Sequence, residues 1–435
     1  MALSARLSSL TDTFRKAVVA ITASSATIGG TAVAYKAVTI DPVVLEAVAV
    51  PSSLEEQGYS PEIATQRILD ELTALNNATS SAKERTSFGD KRLDLANLDA
   101  NIAGLDLKEV VGILRELFGR TVHRISGEIT QRKDGDKVTY RVRLRQTPER
   151  TRLVEFETTG DPDHVFQQVA LKLLEAVDPH IAAAVYYGRF HDRDNALRLI
   201  DVVLNNDTPA DDKFSLNMRS QIAANEGRLD DALADVERAM ALDPSFPAAY
   251  ANAANVYRLR KDTAKAKEAA SRAIALGPNL PYGYGELGRV LRDLKEPDQA
   301  LAQFNLAIAK SRQYAPGYNQ AGLTLLDLGR DADALGMFAR GVAASPEHAH
   351  LRWNYGRTLA RLGRGGEAVP QLEKAVALDP DNAEFLMSLA VAYADQKRAK
   401  DAAPLLVRLR GMVGGKLPPA LETRVGDFLE RHKGA

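Results

Sequence analysis

A chain of 435 residues is longer than one hydrophobic core usually supports, so its length predicts two or three domains or a repeat architecture. The formal net charge is −1, which excludes a global electrostatic attraction to nucleic acid or to an acidic membrane surface. The chain has no cysteine, which excludes disulfides, thiolate metal sites, iron–sulfur clusters and a cysteine nucleophile.

The first predicted element is an uncharged segment at residues 17–35, which approaches the length that a helix needs to cross a bilayer. Positive charges precede it at Arg6, Arg15 and Lys16, whereas the charges that follow position 40 are mainly acidic. This asymmetry predicts an N-terminus in the cytoplasm. We therefore expect residues 1–40 to form an N-terminal tail and a membrane anchor, a transmembrane or signal-anchor helix. The protein would then be a single-pass inner-membrane protein with its C-terminal bulk in the periplasm.

Two other interpretations of this segment stay open. Ala32-Val33-Ala34 has the small-x-small form of a signal-peptidase site, and cleavage there would release a soluble periplasmic protein. The segment also fits an alanine-rich helix packed on the protein itself, in which case the chain would be a cytosolic protein.

Residues 41–178 predict a small α+β domain, because their hydrophobic period changes between that of strands and that of helices. A helix is expected from Ser60-Pro61-Glu62, which combines a capping hydroxyl, a proline in the first turn and an acid. Its expected inward face is Ile63, Ile68, Leu69, Leu72 and Leu75. The other predicted elements are a buried strand at 43–50, a helix near 107–118, three strands with a hairpin turn at Asp134-Gly135, and a helix at 163–177.

Three arginines, Arg141, Arg143 and Arg145, alternate with apolar residues and therefore share one face of the middle strand. They indicate either a patch for an anion or a solvated face whose charges discourage pairing with another strand edge. No aromatic residues are interleaved with them for base stacking, so we predict no nucleic-acid partner.

Three short stretches of this region suggest a family. They are Ile125-Ser126-Gly127-Glu128-Ile129, Asp136-Lys137-Val138 and Val165-Phe166-Gln167. Their pattern resembles the TolB amino-terminal-like modules of bacterial envelope proteins. Such modules often precede helical repeats in the same chain, so the resemblance implies an envelope protein.

The second half of the chain repeats with a period of 34 residues. A period of this length is typical of a helical solenoid, in which each unit packs only on its neighbours. The repeated alanine positions are Ala232, Ala266, Ala300, Ala334, Ala368 and Ala402. A second slot holds small residues at Ser220, Ala254, Gly288, Gly322, Gly356 and Ala390, and a third holds Pro244, Pro278, Arg312, Pro346 and Pro380.

This pattern, with large aromatic residues at Tyr250, Tyr284 and Tyr318, resembles the tetratricopeptide repeat, a pair of antiparallel helices. The resemblance implies an α-helical solenoid over residues 179–412, with six clear repeats starting near 213, 247, 281, 315, 349 and 383. A degenerate repeat is expected to start near Pro179, and residues 413–435 to form a C-terminal capping helix. Arg352 departs from the aromatic slot, and Trp353 is displaced from it by one residue.

The resemblance also implies that the first helix of each repeat lines a concave groove. The predicted ligand-binding residues there are Asn255, Arg258, Tyr282, Arg289, Arg292, Asn319, Trp353 and Arg357. Arginine forks pair well with carboxylates, so Arg258, Arg289 and Arg292 predict an acidic peptide. The alternative is that Glu286, Asp293 and Asp327 neutralise these arginines within the chain.

Nothing in the sequence predicts catalysis, a metal or a cofactor. Gly283-Tyr284-Gly285-Glu286-Leu287-Gly288 matches a dinucleotide fingerprint, but it follows Pro281 at the start of a repeat helix instead of a strand. His348 and His350 are two residues apart, whereas metal-binding histidines on a helix prefer three or four.

We therefore expect a non-enzymatic scaffold at the bacterial cell envelope that binds a protein or peptide partner, acidic in character, in the repeat groove. The oligomeric state is not predicted. Two alternatives stay open. In one, the α+β domain of an envelope protein binds a small molecule or a glycan; in the other, the chain is a cytosolic regulator.

Overall fold

A computed structural model describes residues 43–77, 88–89, 101–102, 105–106, 123–147, 151–206, 212–413 and 419–431. The predicted anchor at 17–35 and the predicted helix near 107–118 lie outside these residues. Within the described part of the chain, no helix combines the length and the apolar character that crossing a bilayer requires. The chain divides into two compact units, Met1–Ser215 and Leu216–Ala435.

Strands are found in the first unit. Those described are β1 (Val43–Leu45), β2 (Phe88–Gly89), β3 (Asn101–Ile102), β4 (Leu105–Asp106), β5 (His123–Asp134), β6 (Lys137–Thr147) and β7 (Thr151–Thr158). A five-stranded sheet has the order β2-β1-β5-β6-β7, and β3 pairs with β4 separately. β1 runs parallel to β2 and β5, whereas β5, β6 and β7 are antiparallel. The predicted hairpin turn is confirmed, since Asp134 pairs with Lys137 and Gly135 has a φ of 61°.

The described helices of this unit are α1 (Ser52–Glu55), α2 (Pro61–Asn77), α3 (Pro162–Val177), α4 (Pro179–Gly188) and α5 (Arg193–Leu204). Helices α2 and α3 pack on each other, and α3 also contacts β6 and β7. Tyr140, Val142 and Leu144 of β6 are buried. The helix pair α4 and α5 lies where the degenerate repeat is predicted, and it falls within the first compact unit.

One predicted core residue of α2 is wrong. Ile63 is 48% exposed, whereas Ile68, Leu69, Leu72 and Leu75 are buried. The helix turns by roughly 100° per residue, which places Ile63 about 140° around the helix from Ile68. Ala64, one turn before Ile68, is buried instead.

The second unit consists of helix pairs, and the first helix of the first pair begins four residues before the unit boundary. The first helices are α6 (Asp212–Asn225), α8 (Pro247–Leu259), α10 (Pro281–Asp293), α12 (Ala315–Asp327), α14 (Ala349–Arg361) and α16 (Ala383–Asp395). The second helices are α7 (Leu229–Leu242), α9 (Thr263–Leu276), α11 (Pro297–Lys310), α13 (Asp331–Ala344), α15 (Gly365–Leu378) and α17 (Ala399–Met412). A final helix, α18 (Pro419–Arg431), packs on α16 and α17 with Val425 and Phe428 buried. The first helices begin within a residue of the predicted repeat starts.

The small-residue slots let the helices of a pair approach closely. The six repeated alanines are each at most 2% exposed. A Cβ atom at Gly288 would lie 2.5 Å from the ring of Phe304, and one at Gly322 would lie 2.4 Å from the ring of Phe338. Gly288 thus leaves room for a large buried side chain of the second helix. This packing role explains the glycine, which also belongs to the dinucleotide-like fingerprint, without a bound cofactor.

The loop prolines are tied to the next helix by one recurring hydrogen bond. Tyr250 Oη donates to the carbonyl oxygen of Pro244 over 3.2 Å, and Tyr284 Oη donates to that of Pro278 over 3.1 Å. In a later repeat Arg352 Nε donates to the Pro346 carbonyl oxygen over 2.6 Å. Arg352 therefore replaces the aromatic residue of this slot without losing the link.

Candidate functional site

The first helices of neighbouring pairs contact each other, whereas the second helices pack mainly against first helices. We call the side of α8, α10, α12, α14 and α16 that carries these mutual contacts the first-helix surface. Its rows of side chains come from successive repeats, so a bound chain would meet equivalent positions in turn. It is the candidate binding site of the second unit.

Side chains 35 residues apart are joined across this surface, one repeat plus one residue. Asn354 Nδ2 donates to Asn319 Oδ1 over 2.8 Å, and Trp353 Nε1 donates to Ser388 Oγ over 2.8 Å. We call this row of contacts the polar ladder. It fixes the spacing of the first helices, because every link spans one helix-to-helix gap.

Arg258 is held by contacts within the chain. Its Nη1 atom lies 3.0 Å from Asp293 Oδ2, and its Nη2 atom donates to Asn255 Oδ1 over 3.0 Å. The Arg258 side chain is only 14% exposed. The charge of Arg258 is therefore neutralised by a carboxylate of the next repeat, and Asn255 orients the guanidinium.

The other two predicted arginines also have partners. Arg292 donates to Gln320 Oε1 over 2.7 Å and lies 3.5 Å from Asp327 Oδ2. Arg289 Nη1 lies 3.0 Å from Glu286 Oε1, and the charge of Glu286 raises the pKa of Arg289. The interpretation that acids of the chain neutralise these arginines is the one that the geometry supports.

Tyr314 lies near the Glu286–Arg289 pair, and Tyr282 lies one helical turn before Glu286 in α10. The hydroxyl of Tyr314 would lie 2.6 Å from a Cβ atom at Gly285, so its ring occupies space that a larger residue would fill. Burial raises the pKa values of both Tyr282 and Tyr314, which keeps both phenols protonated near neutral pH.

The predicted residues Trp353 and Arg357 lie together with three aromatic and polar neighbours. The Cζ atom of Arg357 lies 4.4 Å above the indole ring, close enough for a cation–π contact. Trp353 packs on Phe385 at 5.4 Å between ring centroids, and His350 packs on Phe385 at 5.1 Å. We call Trp353, Arg357, His350, Phe385 and Ser388 the Trp353 cluster. Arg357 is exposed, and it has no ion pair within the residues that the structure describes.

His348 has a structural role at the start of α14. Its Nδ1 atom accepts a hydrogen bond from the backbone N–H of Leu351 over 3.3 Å, which makes it the N-cap. Burial, with a smaller contribution from His350, lowers the pKa of His348 to about 4. In the described part of the chain, no three His, Asp or Glu side chains are grouped so that they could hold a metal ion.

The eight predicted residues thus occupy three places instead of one. Arg258, oriented by Asn255 of its own helix, pairs with the next repeat, and Arg292 and Asn319 do the same further along, whereas Arg289 pairs with Glu286 and Tyr282 lies one helical turn before Glu286. Only Trp353 and Arg357 form a cluster with an exposed cation. Sequence reasoning missed Ser388, Phe385, Gln320 and Tyr314. Ser388 follows Trp353, and Phe385 follows His350, by one repeat plus one residue, which is a signal in the sequence. Gln320 and Tyr314 show no such offset from Arg292 and Gly285.

Comparison with known proteins finds one family model that matches parts of the second unit. The family model described as "Tetratricopeptide repeat" matches residues 217–281, 319–376 and 356–411. No curated protein is similar enough to the chain to count as a match.

Three solved structures illustrate the similarity. A thermophilic tetratricopeptide repeat protein of Thermus thermophilus shares 23% identity at a TM-score of 0.37, covering 42% of this chain and 99% of that one. PilW, a widely conserved type IV pilus biogenesis factor, shares 20% identity at a TM-score of 0.38, covering 46% and 92%. YrrB, a tetratricopeptide repeat protein with an unusual peptide-binding site, shares 27% identity at a TM-score of 0.28, covering 43% and 94%.

The family match adds an independent finding to the six helix pairs. The matched residues lie within α6 to α17, where the alanine, glycine and proline slots recur. The chain therefore carries tetratricopeptide repeats in its second half, and such repeats typically form non-catalytic modules for protein interaction.

Proposed function

We propose that the chain is a non-enzymatic scaffold of the bacterial cell envelope whose repeats bind a peptide or protein partner on the first-helix surface. The observation that carries this proposal is the Trp353 cluster, where an exposed guanidinium lies 4.4 Å above a tryptophan ring. Tryptophan, tyrosine and arginine are the residues that most often dominate the energy of an interface.

The cluster also indicates the chemistry of the partner. Phe385 and Ser388 hold the Trp353 ring in place, so a partner would meet a rigid aromatic surface at little entropic cost. Arg357 offers guanidinium N–H groups beside that ring, and these pair best with a carboxylate. An aromatic or apolar side chain followed by an acidic residue therefore fits the cluster.

The rest of the first-helix surface has a different role in this proposal. Arg258 and Arg292 are bonded to acids of the next repeat, so they hold the helices at a fixed spacing. Preference for an acidic partner is therefore assigned to Arg357 and not to the three central arginines. The Glu286–Arg289 pair with Tyr282 offers a second, weaker contact point.

Placement at the envelope is supported by the sequence alone. The uncharged residues 17–35 lie between basic and acidic flanks, as in a single-pass anchor of the inner membrane. The resemblance of the middle region to TolB amino-terminal-like modules points to the same compartment.

Replacing Arg357 by Gln tests the partner site. Proteins captured from extracts of the source organism by the wild-type chain should be lost from Arg357→Gln, because the exposed guanidinium is removed while the ring beneath it stays. Quantitative mass spectrometry of the captured proteins measures the loss. We expect the same proteins to be lost from Trp353→Ala, which also removes the ring.

Arg340→Gln is the matched control. Arg340 also lies over an aromatic ring, at 5.7 Å from that of Tyr318, but it belongs to the second helix α13. The Arg340→Gln variant should capture the same proteins as the wild type. If Arg357→Gln and Arg340→Gln both capture them unchanged while circular dichroism shows folded protein, the Trp353 cluster is not the binding site.

A further inference from the structure

The sheet of the first unit carries a basic cavity that the repeats do not explain. The cavity has a volume of about 590 Å³ and is lined by Arg141, Arg143, Arg145, Arg152 and Glu155. These residues lie on the face of β6 and β7 opposite the buried Tyr140, Val142 and Leu144. We call the four arginines and Glu155 the arginine face.

The position of these arginines in the sheet is electrostatically unfavourable. Successive arginines of β6 on this face are about 7 Å apart. Arg145 lies directly opposite Arg152 in the register of β6 and β7, and like charges in that position destabilise a sheet. β6 is hydrogen-bonded on both sides, so its charges protect no strand edge. Neither packing nor edge protection accounts for the three arginines of β6.

A single carboxylate organises three of the four arginines. Glu155 Oε1 lies 2.7 Å from Arg141 Nη2 and 3.0 Å from Arg143 Nε, and its Oε2 atom lies 2.7 Å from Arg152 Nη1. Such contacts fix the direction of the guanidinium forks before any ligand arrives, which lowers the entropic cost of binding.

The charge of the arginine face remains unbalanced. Glu155, Glu128, which lies 3.3 Å from Arg143, and Glu157, which is opposite Arg141 in the register, supply three negative charges against four positive ones. Arg145 makes no ion pair with any residue that the structure describes. Arg141 and Arg152 are 47% and 72% exposed, so their remaining N–H groups are accessible to a solute.

We infer that the arginine face binds a ligand that carries two or more phosphate-type oxyanions. Guanidinium forks bind such groups through paired hydrogen bonds. The three β6 arginines extend over about 13 Å, which is more than one phosphate spans. No aromatic side chain lines the cavity, so it offers no platform for a stacked base. Free oligophosphates and diphosphate lipid headgroups share this chemistry.

Two probes and one double variant test the inference on the full chain. Tripolyphosphate binding is measured by isothermal titration calorimetry, and lipid binding as the difference in co-sedimentation between cardiolipin-containing and pure phosphatidylcholine vesicles. Arg145→Gln/Arg152→Gln should weaken binding roughly tenfold or more, since each charge-assisted contact contributes about that factor. Its unfolding midpoint should be unchanged or higher, because the two opposed charges are gone.

The control removes the same charge elsewhere. Arg330→Gln/Arg364→Gln changes two exposed arginines of the second unit that pair with Asp333 and Glu367, and it should bind as the wild type does. Binding of tripolyphosphate alone would identify a free oligophosphate, and binding of cardiolipin vesicles alone would identify a lipid headgroup. The inference is wrong if the wild type binds neither probe, or if the two double variants bind equally.

Discussion

At the scale of single residues, the missing side chain of Gly288 sets how closely α10 and α11 approach. The ring of Phe304 fills the space where a Cβ atom would lie, and Phe304 is fully buried. Glycine usually destabilises a helix. Gly288 stabilises the protein here, because the close packing that it permits outweighs its conformational cost.

Gly288→Ala should destabilise the protein. The added Cβ atom would lie 2.5 Å from Phe304, and overpacking of this kind costs about 1–3 kcal/mol. That exceeds the gain of about 1 kcal/mol in helix propensity. The midpoint of urea unfolding, followed by circular dichroism, is the measurement.

Gly336→Ala is the matched control for this substitution. Gly336 lies within α13, is exposed, and has no atom within 4 Å of the position of an added Cβ. We expect it to stabilise the protein by about 0.5–1 kcal/mol through helix propensity. Equal stabilisation by both substitutions would show that the contact with Phe304 does not constrain Gly288.

The small residues between the helices of a pair could be predicted well from the sequence, because a tight helix pair restricts side-chain size at fixed positions. Gly288 and Ala300 could be assigned to packing from the 34-residue period alone. Asp293 was also among the acids expected to neutralise the arginines, and it pairs with Arg258. The partner of Trp353 could not be predicted, because a pattern that repeats every 34 residues does not show which offset two curved helices bring together. Ile63 was wrong because five residues turn a helix well away from the buried stripe.

At the scale of secondary-structure elements, the repeats differ in how their helices begin. His348 caps α14 through its ring Nδ1 atom, whereas Asn382 caps α16 through its side-chain oxygen. Only a neutral imidazole can accept the hydrogen bond from Leu351, so the start of α14 depends on pH.

His348→Asn should make the stability of the protein less dependent on pH. The pKa of His348 falls from 6.5 to about 4 on folding, so between those values the unfolded chain binds a proton that the folded chain does not. Stability is then complete above pH 6.5 and falls as the pH drops toward 4. We expect the wild type to lose about 1–2 kcal/mol more than the variant between pH 7 and pH 5.

Urea unfolding of both proteins at pH 7 and pH 5 measures this difference. Asparagine is a favourable N-cap without a titrating ring, so His348→Asn should be about as stable as the wild type at pH 7. Identical losses of stability in the two proteins would show that the ring of His348 titrates normally.

At the scale of the whole molecule, the chain has two compact units with separate buried cores. Leu144 of β6 is fully buried in the first unit, and Phe304 of α11 is fully buried in the second. Replacing either by Ala leaves a cavity that costs about 2–5 kcal/mol.

We expect each of these substitutions to act within its own unit. Hydrogen–deuterium exchange with mass spectrometry should show faster exchange in β5 to β7 for Leu144→Ala, and faster exchange in α10 and α11 for Phe304→Ala. Faster exchange across both units in either variant would show that the two cores unfold together.

The proposed membrane anchor is also testable at this scale. The full chain should sediment with membranes and resist a carbonate wash, whereas a chain that lacks residues 1–40 should be released. Recovery of the intact full-length chain in the soluble fraction would rule out the anchor. This measurement also separates the envelope proposal from the cytosolic alternative.

The polar ladder has a consequence for how such a chain can change in length. Each of its bonds joins a residue to another 35 positions later, in the adjacent repeat. Tandem duplication of one 34-residue unit would recreate a link of the same offset at each new junction. A single-residue insertion within a first helix would instead shift every residue after it to another side of that helix. Mutations that add or remove whole 34-residue units should therefore be tolerated better than small insertions within a first helix.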